Sequence, residues 1–167
     1  MNQDTPPAAA DAARRFPPRP LAAPMVDSAN APFWQAARDG VLMIKRCGAC
    51  GEPHWYPRPH CPHCGAPGTA WERASGRGSV YSYTIVRKAG PQPYVFAYVT
   101  LDEGVTMLSN LVDIDEAALR IGLPVQVVFV PTDGDGRVPM FTAAGLRARF
   151  GRRAGGPPAL AAARRAA

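Results

Sequence analysis

Outside residues 47–64 the chain contains no cysteine and no histidine. That absence removes the usual thiol nucleophile and the usual general base from nearly all of the sequence. No G-x-S-x-G elbow or P-loop is present, and SGRGSVY (75–81) is only a fragment of a dinucleotide fingerprint, better read as a turn into a strand. Tyr81, Tyr83, Asp102 and Asp113 remain as titratable candidates, and each falls in a segment that reads as strand or turn. The isolated chain is therefore expected to hold no catalytic residue.

Long apolar runs are missing as well. Nothing approaches the ~20 residues of a membrane span, and MNQDTPPAAADAARRF lacks the apolar stretch of a secretory signal. The expected location is the cytoplasm, where thiols stay reduced and paired cysteines read as a metal site rather than as disulfides.

Acidic residues are absent from 145–167, where six arginines (147, 149, 152, 153, 164 and 165) account for the whole net charge of +6. The high isoelectric point is thus a property of one tail. Within the neutral remainder, residues 38–88 carry a net +5 and residues 89–144 a net −5. Such a division suits an anionic ligand at one end or a polar partner surface.

Residues 1–30 are rich in alanine and proline and show no periodicity, so they read as a disordered tail. Asn30 then offers a helix cap, Phe33, Trp34 and Ala37 share a face, and Gly40 is a stop, predicting a helix over 31–39. VLMIKR (41–46) reads as a strand. After the cysteines, GSVYSYTIVRK (78–88), YVFAYVTL (94–101) and VTMLSNLV (105–112) are rich in β-branched and aromatic residues, with Asp102–Gly104 as a hairpin turn. DEAALRIG (115–122) predicts a short helix capped by Asp115, and VQVVFV (125–130) and VPMFTA (138–143) are two further strands. Three strands, a helix and two strands give the order of a five-stranded oligonucleotide/oligosaccharide-binding (OB) barrel, with a small open β-sandwich as the alternative. The fold class is mainly β: helix and metal ribbon over 31–74, barrel over 75–144, and a disordered Arg/Ala-rich tail over 145–167.

Cys47, Cys50, Cys61 and Cys64 form two C-x-x-C pairs ten residues apart. Each pair presents two thiolates to one tetrahedral centre, the arrangement of a structural zinc ribbon. Gly48, Gly51 and Gly65 stand where tight knuckles need small residues. Four sulfurs also suit iron, and CPHCG echoes a rubredoxin knuckle, but the short spacing favours zinc. With the thiolate set complete, His54, His60 and His63 read as solvent-facing loop residues, and no position is left open for hydrolytic water.

Ribbons and OB barrels both bind single-stranded nucleic acid. Tyr81, Tyr83, Tyr94, Phe96 and Tyr98 offer aromatics for stacking, although alternation is expected to turn about half of them into the core. The acidic barrel half opposes phosphate, so nucleic-acid binding stands as the alternative function.

FWQAARDGVLMIKRC (33–47), YPRPHCPHCG (56–65), SGRGSVYSYTIV (75–86), YVFAYVTLDEG (94–104) and IGLPVQVVF (121–129) together resemble the DUF35 family, over about residues 31–144. The resemblance implies an N-terminal rubredoxin-like zinc ribbon followed by an OB fold. It also implies a non-catalytic accessory subunit of a hetero-oligomer, beside a thiolase-like acyltransferase or aldolase, or a MaoC-like enoyl-CoA hydratase. There it would help to form the channel for a coenzyme A thioester, and the partner would supply the catalytic residues. Arg46 and Arg58, next to the knuckles, are then the candidate contacts for the phosphates of coenzyme A.

Overall fold

The computed structural model describes residues 15–88 and 92–146. Along the chain lie β1 (Arg15–Phe16), α1 (Ala31–Arg38), β2 (Met43–Cys47), β3 (Pro53–His54), β4 (Thr69–Arg73), β5 (Arg77–Val86), β6 (Tyr94–Leu101), β7 (Thr106–Leu111), β8 (Ile114–Asp115), β9 (Pro124–Pro131) and β10 (Arg137–Ala143). The first of the two expected helices and all six expected strands are present. β3 and β4 were not foreseen: two residues are too few to show alternation, and TAWER (69–73) pairs one aromatic with two charges.

β5, β6, β7, β9 and β10 close into a barrel of order β10-β7-β6-β5-β9, while β8 pairs with β1 outside it. β5, β6 and β7 form an antiparallel meander, while β9 and β10 form a hairpin. Closure comes from a parallel contact between Leu111 and Phe141 and from antiparallel pairing of Arg77–Ser79 with Pro124–Gln126. Pairing of the third strand with the fifth and of the first with the fourth is the OB connectivity, which rules out the open sandwich. Between β6 and β7 the chain turns where expected, with Gly104 N–H donating to the Leu101 carbonyl at 2.9 Å. At Gly78 the barrel is so tight that a Cβ would stand 2.3 Å from the Thr100 carbonyl oxygen. Only glycine fits there.

β2 is the central strand of a second sheet, order β3-β2-β4. Leu42 and Ile44 carry it into the same core as Val80, Val95, Val99, Leu101 and Phe141. Helix α1 joins the two parts. Phe33 and Ala37 are fully buried, and the Phe33 ring lies 4.3 Å from that of Trp55 in the ribbon and 4.8 Å from that of Trp34. The helix therefore packs on β10 and β2.

Several expectations are corrected. Asn30 is not a side-chain cap. It is buried, its Oδ1 accepts from Asp27 N–H at 2.9 Å, and its Nδ2 donates to Tyr56 Oη at 2.9 Å, tying the helix entry to the ribbon. Residues 115–122 do not form a helix. A single 3-10 turn spans Glu116–Ala118, and Leu119 is already extended (φ −67°, ψ 123°). Burial of Leu119 and Leu123 in the core outweighs the local helical preference of eight residues. Residues 15–24, within the segment expected to be disordered, lie against the barrel, with Phe16 only 1% exposed. Residues 1–14 and 147–167 of the two expected tails fall outside the described residues. None of the five aromatics considered for stacking belongs to the buried core. Tyr94, Phe96 and Tyr98 share the outer face of β6, and Tyr81 projects from a bulge between Val80 and Ser82.

Candidate metal centre

Both knuckles are built alike. β2 delivers Cys47, whose carbonyl accepts from Gly51 N–H at 3.1 Å; the Cys61 carbonyl accepts from Gly65 N–H at 2.9 Å. Gly51 (φ 76°) and Gly65 (φ 74°) take the left-handed conformation that reverses each turn, which a side chain would strain. Inside the turns, Ala49 N–H points to Cys47 Sγ and His63 N–H to Cys61 Sγ, both at 3.4 Å. Such amides stabilise thiolate over thiol.

The four sulfurs lie within 4.8 Å of one another, with Cys47–Cys64 and Cys50–Cys61 both at 3.7 Å. A regular tetrahedron with Zn–S of about 2.3 Å has sulfur–sulfur edges of about 3.8 Å. The two measured edges match, so the residues fit a zinc ion held by four thiolates. Amides of Cys50 and Ala49 lower the Cys47 thiol to about 6. The Glu52 amide pulls Cys50 down, but burial and the surrounding sulfurs push it up to about 12. Thiolates this close repel one another, and a cation shared among them removes that cost. A zinc ion held by Cys47, Cys50, Cys61 and Cys64 would tie the two knuckles together and, with four protein ligands, would leave no place for water.

The histidines stay out of the cluster. His60 and His63 are exposed as expected, but His54 is only 3% exposed. Burial lowers its pKa. Its position on β3, beside Lys45 on β2, encloses it, and two-residue β3 left no pattern to reveal this.

Arg46 and Arg58 differ in their surroundings. The Arg46 guanidinium pairs with both carboxylate oxygens of Glu72 on β4 and donates to the Gly51 carbonyl at 2.7 Å. The Glu72 hydrogen bond raises the Arg46 pKa and lowers that of Glu72. Arg46 thus braces the first knuckle against the sheet. Arg58 is exposed, and its carbonyl accepts from Thr69 Oγ1 at 2.8 Å, which in turn accepts from Lys45 Nζ at 3.0 Å. No helix among the described residues is long and apolar enough to cross a membrane.

Fold and site define a class: a four-cysteine ribbon set on an OB barrel. Family models describe the same two parts, the rubredoxin-like zinc ribbon domain of ChsH2 over residues 34–70 and the C-terminal OB-fold domain of ChsH2 over 71–130. The chain belongs to the DUF35 family, in its ChsH2-like form. A DUF35 domain-containing scaffold protein of Methanocaldococcus jannaschii is 33% identical over 112 residues, covering 61% of this chain and 79% of the relative. A probable enoyl-CoA hydratase alpha subunit of Thermomonospora curvata is 37% identical over 71% of this chain, which spans only 38% of that subunit. Among solved structures, a chain of the Ltp2-ChsH2(DUF35) aldolase is 37% identical with a TM-score of 0.64, over 72% of this chain and 98% of that one.

Proposed function

We propose that this protein is a zinc-stabilised accessory subunit of a hetero-oligomeric enzyme acting on coenzyme A thioesters, with an aldolase of the thiolase type or an enoyl-CoA hydratase as partner. One observation carries the reading: the aldolase chain is matched along 98% of its length at 37% identity, so the likeness includes ribbon and barrel together. The chain's own chemistry agrees, because all four thiols are committed to one cluster and the described histidines lie outside it. In this reading the partner supplies the nucleophile and base, and the accessory chain shapes the acyl-CoA channel.

Of the two arginines considered for coenzyme A, Arg58 offers the exposed guanidinium, while Arg46 positions the knuckle through Glu72 and Gly51. An affinity-tagged chain should recover a near-stoichiometric thiolase-like or hydratase-like protein from its native cell. Recovery of nuclease-sensitive, RNA-associated proteins alone would overturn the proposal. In the purified complex, Arg58→Ala should weaken coenzyme A binding by about tenfold, the loss of one charge-assisted phosphate contact. An unchanged affinity would remove Arg58 from the channel.

A further inference from the structure

OB barrels take extended ligands across the outer face of their second and third strands, between the loop joining strands one and two and the loop joining strands four and five. Here that face belongs to β6 and β7, flanked by the described residues 87, 88, 92 and 93 on one side and 132–136 on the other. The chain's own N-terminal segment already covers part of it, while Tyr98 and Leu108 on the same strands stay exposed. Arg15 and Phe16 pair with β8, just past the end of β7. The Pro18 carbonyl accepts from Gln92 Nε2 at 3.4 Å in the first loop. Arg19 lies over β6, its guanidinium 4.3 Å from the Tyr94 ring centre and 5.7 Å from that of Phe96.

The far end is anchored as firmly. Asp133 N–H donates to the Leu21 carbonyl at 3.0 Å, and Asp133 Oδ1 accepts from Ala23 N–H at 2.8 Å. Pro24 sits so close to Gly136 that a Cβ there would meet its Cδ at 3.1 Å. Between the anchors Leu21 packs on Val112, Val128, Val130 and Met140. Alternation along β7, β9 and β10 turns these side chains away from the barrel interior, yet none is more than 4% exposed. They form a separate apolar cluster on the outer wall, and the N-terminal segment helps to cover it.

We propose that this cleft is a recognition site for an extended, proline-rich peptide bearing an arginine, loaded in cis by residues 15–24, and that in the loaded state it is closed to single-stranded nucleic acid. Pro17, Pro18, Pro20 and Pro24 restrict the segment before it binds, which lowers the entropic cost of docking. Aromatic rings accept proline and guanidinium faces. Residues 92–144, which supply most of the cleft, carry a net charge of −5, favourable to an arginine and unfavourable to phosphates. The inference does not depend on the coenzyme A reading, since every contact in it lies within this chain.

The test uses the full chain and a labelled peptide of residues 15–26, RFPPRPLAAPMV, followed by fluorescence anisotropy. The intact chain should leave the peptide free, because a tethered segment competes at an effective concentration of roughly millimolar. The Arg19→Ala/Leu21→Ala chain, with Phe16 kept as anchor, should bind the peptide saturably. Adding Tyr94→Ala should weaken that binding roughly tenfold, the value of a partly desolvated cation–π contact. A labelled oligothymidylate should bind neither chain. Binding of the oligonucleotide instead of the peptide by the loosened chain would overturn the proposal in favour of a nucleic-acid site under a lid. Binding of neither probe would overturn it too. Should the double variant fail to fold, hydrogen exchange decides the matter in full-length Arg19→Ala: faster exchange at Ala23 and Asp133, whose N–H groups make the anchoring bonds, supports the assignment, and unchanged exchange refutes it.

Discussion

Phe33 is the joint at which helix, ribbon and barrel meet, and its removal has a calculable cost. The side chain is 0% exposed, and its ring touches those of Trp34 and Trp55 at 4.8 and 4.3 Å. Truncation of a fully buried phenylalanine to alanine costs about 3–5 kcal/mol, from lost transfer energy and the cavity left behind. Two aromatic contacts of about 0.5–1.5 kcal/mol each place Phe33→Ala in the upper half of that range, near 4 kcal/mol. Against a total stability of about 5–15 kcal/mol, this is a large fraction. Urea unfolding followed by tryptophan fluorescence should show the midpoint fall with little change in slope. Pairing Phe33→Ala with Trp55→Ala in a double-mutant cycle should return a coupling of about 0.5–1.5 kcal/mol. A loss below about 1 kcal/mol would refute the reasoning, because it would mean that α1 is not docked on the shared core.

Replacing Cys61 by alanine should abolish stoichiometric zinc and leave amides of residues 43–73 unprotected in hydrogen exchange, because metal binding and ribbon folding are coupled. A ribbon still protected without zinc would contradict that coupling. Gly78→Ala should prevent barrel closure, since its Cβ would stand 2.3 Å from a backbone oxygen that cannot move aside; soluble, native-like protein would show that β5 and β6 can separate there. Burial lowers the His54 pKa in the folded state, so the unfolded chain binds the extra proton first as pH falls. Stability should therefore rise with pH up to the unfolded value of about 6.5, with the penalty complete only below the depressed folded value. His54→Leu should remove that part of the slope in pH-dependent unfolding, and an unchanged slope would assign it elsewhere.

The cysteine spacing by itself determined the metal centre, because a C-x-x-C turn fixes where its two sulfurs point. The five barrel strands and α1 were legible for a similar reason: each is long enough to express its own period. Tertiary structure decided the rest. The two-residue β3 and β8 have no period to read. Residues 115–122 gave up their helix so that Leu119 and Leu123 could enter the core. His54 looked like a loop residue until β2 was laid beside it, and Arg46 looked free until β4 brought Glu72 across. The segment 15–24 is the clearest case. Its prolines imitate a disordered tail, and its order comes from surfaces 74 to 110 residues away that exist only once the barrel has closed. Local pattern reports what a segment can do alone; a segment held by distant partners carries that information in them.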